Sequence, residues 1–206
     1  MNKLTHNLIK DGYLKTENII ESFCDIRRME FVPNSLQDQA DANIPLPVGY
    51  GQTIAQPLTV AIMLELLNAK DGQNVLVIGS GSGWTTALLA NIVKESGKVT
   101  GLERILDLCE IGKNNLDKFD FIKKGIVEIY NQDGIDGYRK NAPYHRIIVL
   151  VSVDEVPHEL EKQLKLGGKM VIPIENKITL LTKVDDEKFS KEEYPGFSFG
   201  EMISEG

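Results

Sequence analysis

The chain has 206 residues, of which 42% are hydrophobic and 26% charged, and it carries a net charge of −7 with an isoelectric point near 5.1. This length suits one α/β domain with a sizeable core, and the acidic charge argues against a nucleic-acid partner because it offers no broad basic field to phosphates. Residues 1–10 lack the apolar run of a signal peptide, and the longest apolar stretch, 147–153, is too short for a bilayer span of ~20 residues. The two cysteines, Cys24 and Cys109, form no metal-spaced pair. We therefore expect a reduced, cytoplasmic protein with no metal, membrane or nucleic-acid association.

The first quarter of the chain predicts helices followed by an irregular segment. Apolar residues at helical spacing indicate two short helices within residues 3–29, separated at Asp11-Gly12. Residues 30–57 contain four of the eight prolines and no clear periodicity, which predicts an extended or looping segment. We expect residues 1–57 to be an extension that covers the functional site of a domain formed by residues 58–206.

Strands and helices alternate in the remainder of the chain. Pro57 opens a helix over residues 58–67. Further helices are predicted at 83–94, 106–119 and 156–164, and strands at 75–79, 98–102, 126–130, 146–151 and 169–174. This alternation predicts a Rossmann-like, doubly wound, mostly parallel sheet with helices on both faces. Two further strands, 177–183 and 197–203, have no helix between them, and polar residues 185–193 predict a solvated loop.

The strongest local signal is a glycine-rich turn between a strand and a helix. The apolar run Val75–Ile78 leads directly into Gly79-Ser80-Gly81-Ser82-Gly83. Such a turn lets a ligand approach the backbone beside the unpaired N–H groups of a helix N-terminus. On its own it fits a nicotinamide dinucleotide, S-adenosylmethionine, or a tight turn without a ligand.

Two acidic positions favour a nucleotide-like cofactor over an empty turn. Glu103 ends the second strand, about 20 residues beyond the last glycine, where an acid accepts hydrogen bonds from ribose hydroxyls. Asp133-Gly134 follows the third strand, where the acid can accept a bond from the adenine amine. The third glycine comes one residue too early for G-x-G-x-x-G, which disfavours a dehydrogenase, and the P-loop pattern is absent.

The segment before the glycine turn carries a family resemblance. It reads Gly49-Tyr50-Gly51-Gln52-Thr53-Ile54-Ala55-Gln56-Pro57 and resembles the signature of protein-L-isoaspartate O-methyltransferases. Further matches follow the family's order and spacing, among them residues 28–33, 43–47, 133–134, 142–144, 156–157, 163–164, 167–168 and 171–173. The resemblance covers roughly residues 4–174.

The resemblance implies an enzyme that methylates the carboxylate of L-isoaspartyl residues in damaged proteins, with S-adenosyl-L-methionine as donor and S-adenosyl-L-homocysteine as product. The ester then collapses to a succinimide, which completes a repair step. Cofactor contacts are implied for Gly79, Ser80, Gly81, Ser82, Gly83, Glu103, Asp133 and Gly134. Alignment of the substrate carboxylate is implied for Gln52, Thr53, Ile54 and Ala55. We expect protein or peptide substrates and a monomer.

The chain departs from the family pattern at three positions, which we expect near the site. Ala55 replaces a serine, Val77 replaces an acid in the first strand, and His145 replaces an aspartate; His145 also starts a strand and is expected at a surface or edge. Loss of one neutral hydrogen bond at Ala55 typically costs ~0.5–1.5 kcal/mol, which predicts a slower enzyme. Two alternatives stay open, a different carboxylate or small-molecule acceptor and a non-catalytic cofactor-binding module. A nucleic-acid methyltransferase is disfavoured because residues 142–144 precede the fourth strand rather than end it.

Overall fold

Two short helices and a β-hairpin precede the main sheet in the computed structural model, which describes residues 1–199. Helices α1 (Lys3–Lys10) and α2 (Glu17–Asp25) are separated at Asp11-Gly12 as predicted, and Gly12 takes a φ of +78°. Two 3-10 helices, Arg28–Phe31 and Asn34–Gln39, lead to the hairpin.

The hairpin lies within residues 30–57 and was missed by the sequence analysis. Its strands, β1 (Leu46–Gly49) and β2 (Gln52–Ile54), pair antiparallel with Leu46 opposite Ile54. They span only four and three residues, so the alternation of buried and exposed positions is too short to be recognised among the prolines and glycines.

In the described part of the chain, residues 1–199, the main sheet has seven strands in the order β5-β4-β3-β6-β7-β8-β9. Its strands are β3 (Asn74–Ile78), β4 (Lys98–Glu103), β5 (Val127–Asn131), β6 (Tyr144–Val149), β7 (Leu164–Ile174), β8 (Lys177–Lys183) and β9 (Phe189–Pro195). The first five pair in parallel, and β8 and β9 add antiparallel at one edge. The predicted mostly parallel, doubly wound sheet is therefore confirmed.

Helices cover the two faces of the sheet unequally. The remaining helices are α3 (Pro57–Leu67), α4 (Trp84–Val93), α5 (Leu106–Asp117) and α6 (His158–Gln163). Strand β3 shows the division, because Val75 and Val77 face a core shared with α3, α4 and α5, whereas Leu76 and Ile78 face a second core shared with α6. The larger core also takes in apolar residues of α1, α2 and the hairpin, so the N-terminal extension packs on the same face as α3 to α5. The two-domain division at residues 57 and 58 stays a prediction.

The C-terminal strands differ from the prediction. Residues 189–195 form β9 rather than a loop, and the connecting turn is short, with Val184 N–H donating to the Lys188 carbonyl at 2.8 Å. Strand β9 is the edge of the sheet and most of its side chains are exposed, so it has no apolar face that would identify it in the sequence. Of the strand expected at 197–203, residues 197–199 are not in a strand, and the remainder lies outside the described residues.

His145 lies at the amino-terminal edge of the sheet, at the start of β6. Its Nδ1 accepts a hydrogen bond of 3.0 Å from the Asn74 backbone N–H, and its Nε2 lies 3.2 Å from Lys165 Nζ. Burial, followed by the positive charges of Lys165 and Arg146, lowers the pKa of His145 below its ordinary value. The folded state therefore favours the neutral imidazole.

We expect His145 to make stability depend on pH. Because its pKa is lower in the folded state than the ~6.5 of the unfolded chain, the unfolded chain binds more protons as the pH falls. The stability that His145 confers is complete above about pH 6.5 and is lost progressively below it. Thermal unfolding at pH 7.5 and 5.5 should show a larger drop in Tm for wild type than for His145→Asn, which keeps an acceptor for Asn74. Substitution of the exposed His158 by Asn is the control, and equal drops in wild type and His145→Asn would contradict the assignment.

Candidate active site

A cavity of about 490 Å³ opens at the carboxyl ends of the central strands. It is walled by the ends of β3 and β4 and by the segments that follow β5 and β6. Strand β3 lies between β4 and β6, so the cavity lies at the switch point of the sheet, where open α/β folds bind their ligands. Its volume falls within the ~300–1,000 Å³ that is typical of small-molecule sites.

The structure brings nearly all of the predicted site residues together in this cavity. The hairpin and the residues after it contribute one wall, and the glycine turn and the acidic positions contribute the other. The predicted residues that line it are Gln52, Thr53, Ile54, Ala55, Gly79, Ser80, Gly81, Ser82, Glu103, Asp133 and Gly134.

Gly83 is the one predicted residue outside the cavity lining. It caps the N-terminus of α4 with a φ of +95°. A Cβ built there would lie 3.2 Å from the Gly112 carbonyl oxygen and 3.3 Å from Leu116 Cγ, so Gly83 lets the turn pack closely against α5.

The glycine turn is held against strand β4. The N–H groups of Gly79 and Ser80 both donate to the Leu102 carbonyl, at 2.9 and 3.0 Å. The Ser80 hydroxyl is buried in the lining and has no hydrogen-bond partner among the described residues. A buried hydroxyl without a partner is costly, and a polar ligand in the cavity would satisfy it.

Glu103 links the glycine turn to the start of α5. Its side chain is only 6% exposed, and its Oε2 accepts from Gly81 N–H at 2.9 Å while its Oε1 accepts from Ile105 N–H at 3.0 Å. Each carboxylate oxygen can accept two hydrogen bonds, so both keep acceptor capacity for a ligand.

The segment after β5 brings a second carboxylate to the cavity. Asp133 Oδ1 accepts from Ile135 N–H at 3.0 Å, which fixes the turn, and Gly134 is buried beneath it. A Cβ built on Gly134 would lie 2.2 Å from Ile78 Cγ2, so any side chain there would displace the segment.

A buried arginine braces the opposite wall. Arg28 is 2% exposed, and its guanidinium carbon lies 5.5 Å from the ring centroid of Trp84. Burial lowers the pKa of Arg28 to about 10, against the opposing effect of Asp41, so the group stays charged at neutral pH. Its terminal nitrogens donate within 3.3 Å to the carbonyl oxygens of Ala40, Ala42, Ile44, Ile54 and Ala55. The sequence offered Arg28 only as part of a family-like segment, because no local pattern reports such contacts.

Trp84 belongs both to the cavity wall and to the core. It lines the cavity, and it is also core, being 2% exposed and packed edge-on against Phe23 with ring centroids 5.6 Å apart. Other lining residues were not predicted as site residues. Pro45, Tyr50 and Gln56 lie in family-like segments of the sequence, whereas no local pattern marks the remaining ones, among them Arg104, Gln132, Leu150, Ser198 and Phe199.

Of the three departures from the family pattern, only Ala55 lines the cavity. Val77 is fully buried in the middle of β3, and His145 lies at the opposite edge of the sheet. Val77 directly precedes Ile78, which lines the cavity, but its side chain packs in the larger core. The expectation of a position near the site is wrong for His145, because the start and the end of a strand are separated by the length of the strand. Within residues 1–199, no group of three or more His, Cys, Asp or Glu side chains could hold a metal ion, and no helix is long and apolar enough to cross a membrane.

Comparison with known proteins identifies the family. The model of the family described as protein-L-isoaspartate(D-aspartate) O-methyltransferase matches residues 1–200. The chain belongs to this family. The protein-L-isoaspartate O-methyltransferase of Methanopyrus kandleri is 39% identical over 98% of this chain and 91% of its own, and that of Thermococcus sibiricus is 38% identical over 98% and 93%.

A solved structure confirms the fold. A Plasmodium falciparum protein described as a beta-aspartate methyltransferase superposes with a TM-score of 0.87 at 24% identity, over 97% of this chain and 96% of its own. That protein was solved in complex with S-adenosyl-L-homocysteine. The family model and the two relatives confirm the predicted family and enzyme type, and this structure confirms the predicted Rossmann-like fold.

The close packing at Gly134 yields a test. We expect Gly134→Ala to destabilise the protein by about 1–3 kcal/mol, the usual cost of inserting a methyl group into a filled site. In an Ile78→Ala background the added methyl has room, so its cost should shrink, and a double-mutant cycle by chemical denaturation measures the difference. An equal cost in both backgrounds would show that Ile78 is not the obstacle.

Proposed function

We propose that this protein transfers the methyl group of S-adenosyl-L-methionine to the carboxylate of L-isoaspartyl residues in damaged proteins and peptides, and releases S-adenosyl-L-homocysteine. One observation carries the proposal. A single cavity joins the glycine turn and its two carboxylates to the segment that matches the family signature. Cofactor-type and substrate-type residues therefore face each other across one space.

The residues of the cavity fit the cofactor. Glu103 has free acceptor capacity suited to ribose hydroxyls, and Asp133, in the same lining, carries a carboxylate suited to the adenine amine. The glycine turn, with Gly79 at φ +74° and Gly81 at φ +54°, lets a ligand approach its backbone, and Ser80 offers an unsatisfied hydroxyl. When bound, the cofactor supplies an activated methyl group on a sulfonium.

The chain's own contribution to methyl transfer is alignment. An isoaspartyl carboxylate, with a reference pKa near ~4, is already ionised at neutral pH, so no residue has to remove a proton. Correct orientation of reacting groups can supply up to ~7–11 kcal/mol. Residues Gln52–Ala55 form the wall that would hold the carboxylate, which suits a role in orientation rather than in proton transfer.

No observation favours a different acceptor or a non-catalytic module. Ala55 lacks the family's hydroxyl, but its neighbours in the signature keep their places in the lining. We also propose a cytoplasmic, monomeric enzyme that does not bind nucleic acid. The free thiols of Cys24 and Cys109 and the net charge of −7 support the compartment and the absence of a nucleic-acid partner.

Methyl transfer to an isoaspartyl peptide tests the function directly. With labelled S-adenosyl-L-methionine, we expect transfer to the isoaspartyl peptide and none to its aspartyl twin. Ala55→Ser should raise kcat/KM about 2- to 10-fold, because one neutral hydrogen bond contributes ~0.5–1.5 kcal/mol. Equal transfer to both peptides, or to neither while the cofactor still binds, would overturn the proposed substrate.

Glu103 gives a separate test of the cofactor site. Glu103→Gln places an amide N–H₂ where a carboxylate oxygen now accepts a backbone N–H, so we expect S-adenosyl-L-homocysteine to bind at least about tenfold more weakly by calorimetry. Glu128→Gln is the matched control. Glu128 also accepts two hydrogen bonds, from Asn141 Nδ2 at 2.7 Å and the Tyr130 hydroxyl at 3.2 Å, but does not line the cavity. Equal losses in both variants would point to a general loss of structure.

A further inference from the structure

Two consecutive carbonyl groups in the signature segment face a buried positive charge. Arg28 Nη2 lies 3.3 Å from the Ile54 oxygen and 3.1 Å from the Ala55 oxygen. In a trans peptide the carbonyl and the following N–H point in opposite directions, and both of these peptides are trans. The N–H groups of Ala55 and Gln56 are therefore directed away from Arg28.

These two N–H groups are available to a ligand. Strand β2 ends at Ile54 and helix α3 begins at Pro57, so Ala55 and Gln56 fall between the two hydrogen-bonded elements. Among the described residues, neither N–H donates a backbone or side-chain hydrogen bond. Both residues line the cavity, whereas Arg28 does not.

We propose that Arg28 is a positioning residue for the substrate: it fixes the two peptide units so that the N–H groups of Ala55 and Gln56 receive the isoaspartyl carboxylate. This inference rests on the proposed function. Two adjacent backbone N–H groups offer one donor to each oxygen of a carboxylate, and hydrogen bonds to an ionised group are stronger than neutral ones. The same arrangement explains how a carboxylate can be held where Ala55 supplies no hydroxyl.

The geometry requires the forked shape of arginine. Nη1 donates to one loop, at the carbonyls of Ala40 and Ala42, while Nη2 spans from Ile44 to the signature segment. The ring of Trp84 lies against the guanidinium and limits its movement. Lysine keeps the charge, but its three N–H donors lie on one nitrogen, so it cannot contact all five of the carbonyls that Nη1 and Nη2 reach together.

Arg28→Lys is the first variant to test, with Arg146→Lys as matched control. Arg146 is half-buried and also donates to carbonyls, those of His145 at 2.8 Å and Asn68 at 3.3 Å, but it lies at the amino-terminal end of β6, away from the cavity. Calorimetry would measure binding of an isoaspartyl peptide to the complex with S-adenosyl-L-homocysteine, binding of S-adenosyl-L-homocysteine itself, and Tm. Steady-state kinetics would separate KM from kcat.

We expect both variants to lower Tm. Only Arg28→Lys should weaken peptide binding and raise KM, by about tenfold or more, while affinity for S-adenosyl-L-homocysteine changes less than about threefold. Unchanged peptide affinity, or an equal loss of peptide and S-adenosyl-L-homocysteine affinity, would overturn the positioning role.

A second variant keeps the test decisive if Arg28→Lys does not fold. Replacing Ala55 with L-lactic acid changes one amide to an ester and removes that N–H while leaving Arg28 in place. Peptide affinity should again fall about tenfold. Unchanged affinity would overturn the inference. Wild-type protein that methylates the isoaspartyl peptide while both variants bind it normally would refute this inference alone, whereas wild type that neither binds nor methylates the peptide would refute the proposed function as well.

Discussion

The burial of one charge organises the N-terminal half of this protein. A guanidinium removed from water costs several kcal/mol unless its donors are met, so the chain around Arg28 must present carbonyl groups to it. Residues 40–44, which form no helix or strand, do so together with Ile54 at the end of β2 and Ala55 after it. The contact with Trp84 then ties this assembly to the first turn of α4, immediately after the glycine turn. Arg28 does not line the cavity, yet its contacts fix the position of the signature segment relative to the glycine turn.

The other wall is fixed by the sheet itself. Parallel strands end together at one edge, and the glycine turn is held there by backbone bonds to Leu102 and by the carboxylate of Glu103. Glu103 satisfies two backbone N–H groups that would otherwise be buried without partners, and the same oxygens remain able to accept from a ligand. On the proposed function, the same carboxylate supports the turn and receives the ligand, so we expect a change at Glu103 to affect the turn and the binding of the cofactor together.

The sequence predicts this fold and site unevenly, for physical reasons. The alternating strands and helices, the glycine turn and Glu103 follow from local patterns, since burial on both faces makes β3 continuously apolar and a tight turn demands glycine. The strands of the hairpin span only four and three residues, and β9 is an edge strand with mostly exposed side chains, so neither leaves a periodic signal. The place of His145 relative to the cavity and the contacts of Arg28 depend on the three-dimensional packing of segments that are far apart in the sequence. The family resemblance located the signature segment without showing what holds it.

An enzyme that works by alignment depends on what fixes its backbone more than on any one side chain in the cavity. Main-chain N–H groups that hold a carboxylate remain when the side chain of the residue that carries them is replaced. A side-chain hydroxyl beside them therefore strengthens the interaction but does not supply all of it. This accounts for a signature segment that carries Ala55 and still keeps its path along the cavity wall. The residue that limits substitution is then Arg28, which lies behind the cavity wall and orients those peptide units. Selection on such a site should tolerate change at Ala55 more readily than change at Arg28, although only Ala55 lies within reach of the substrate.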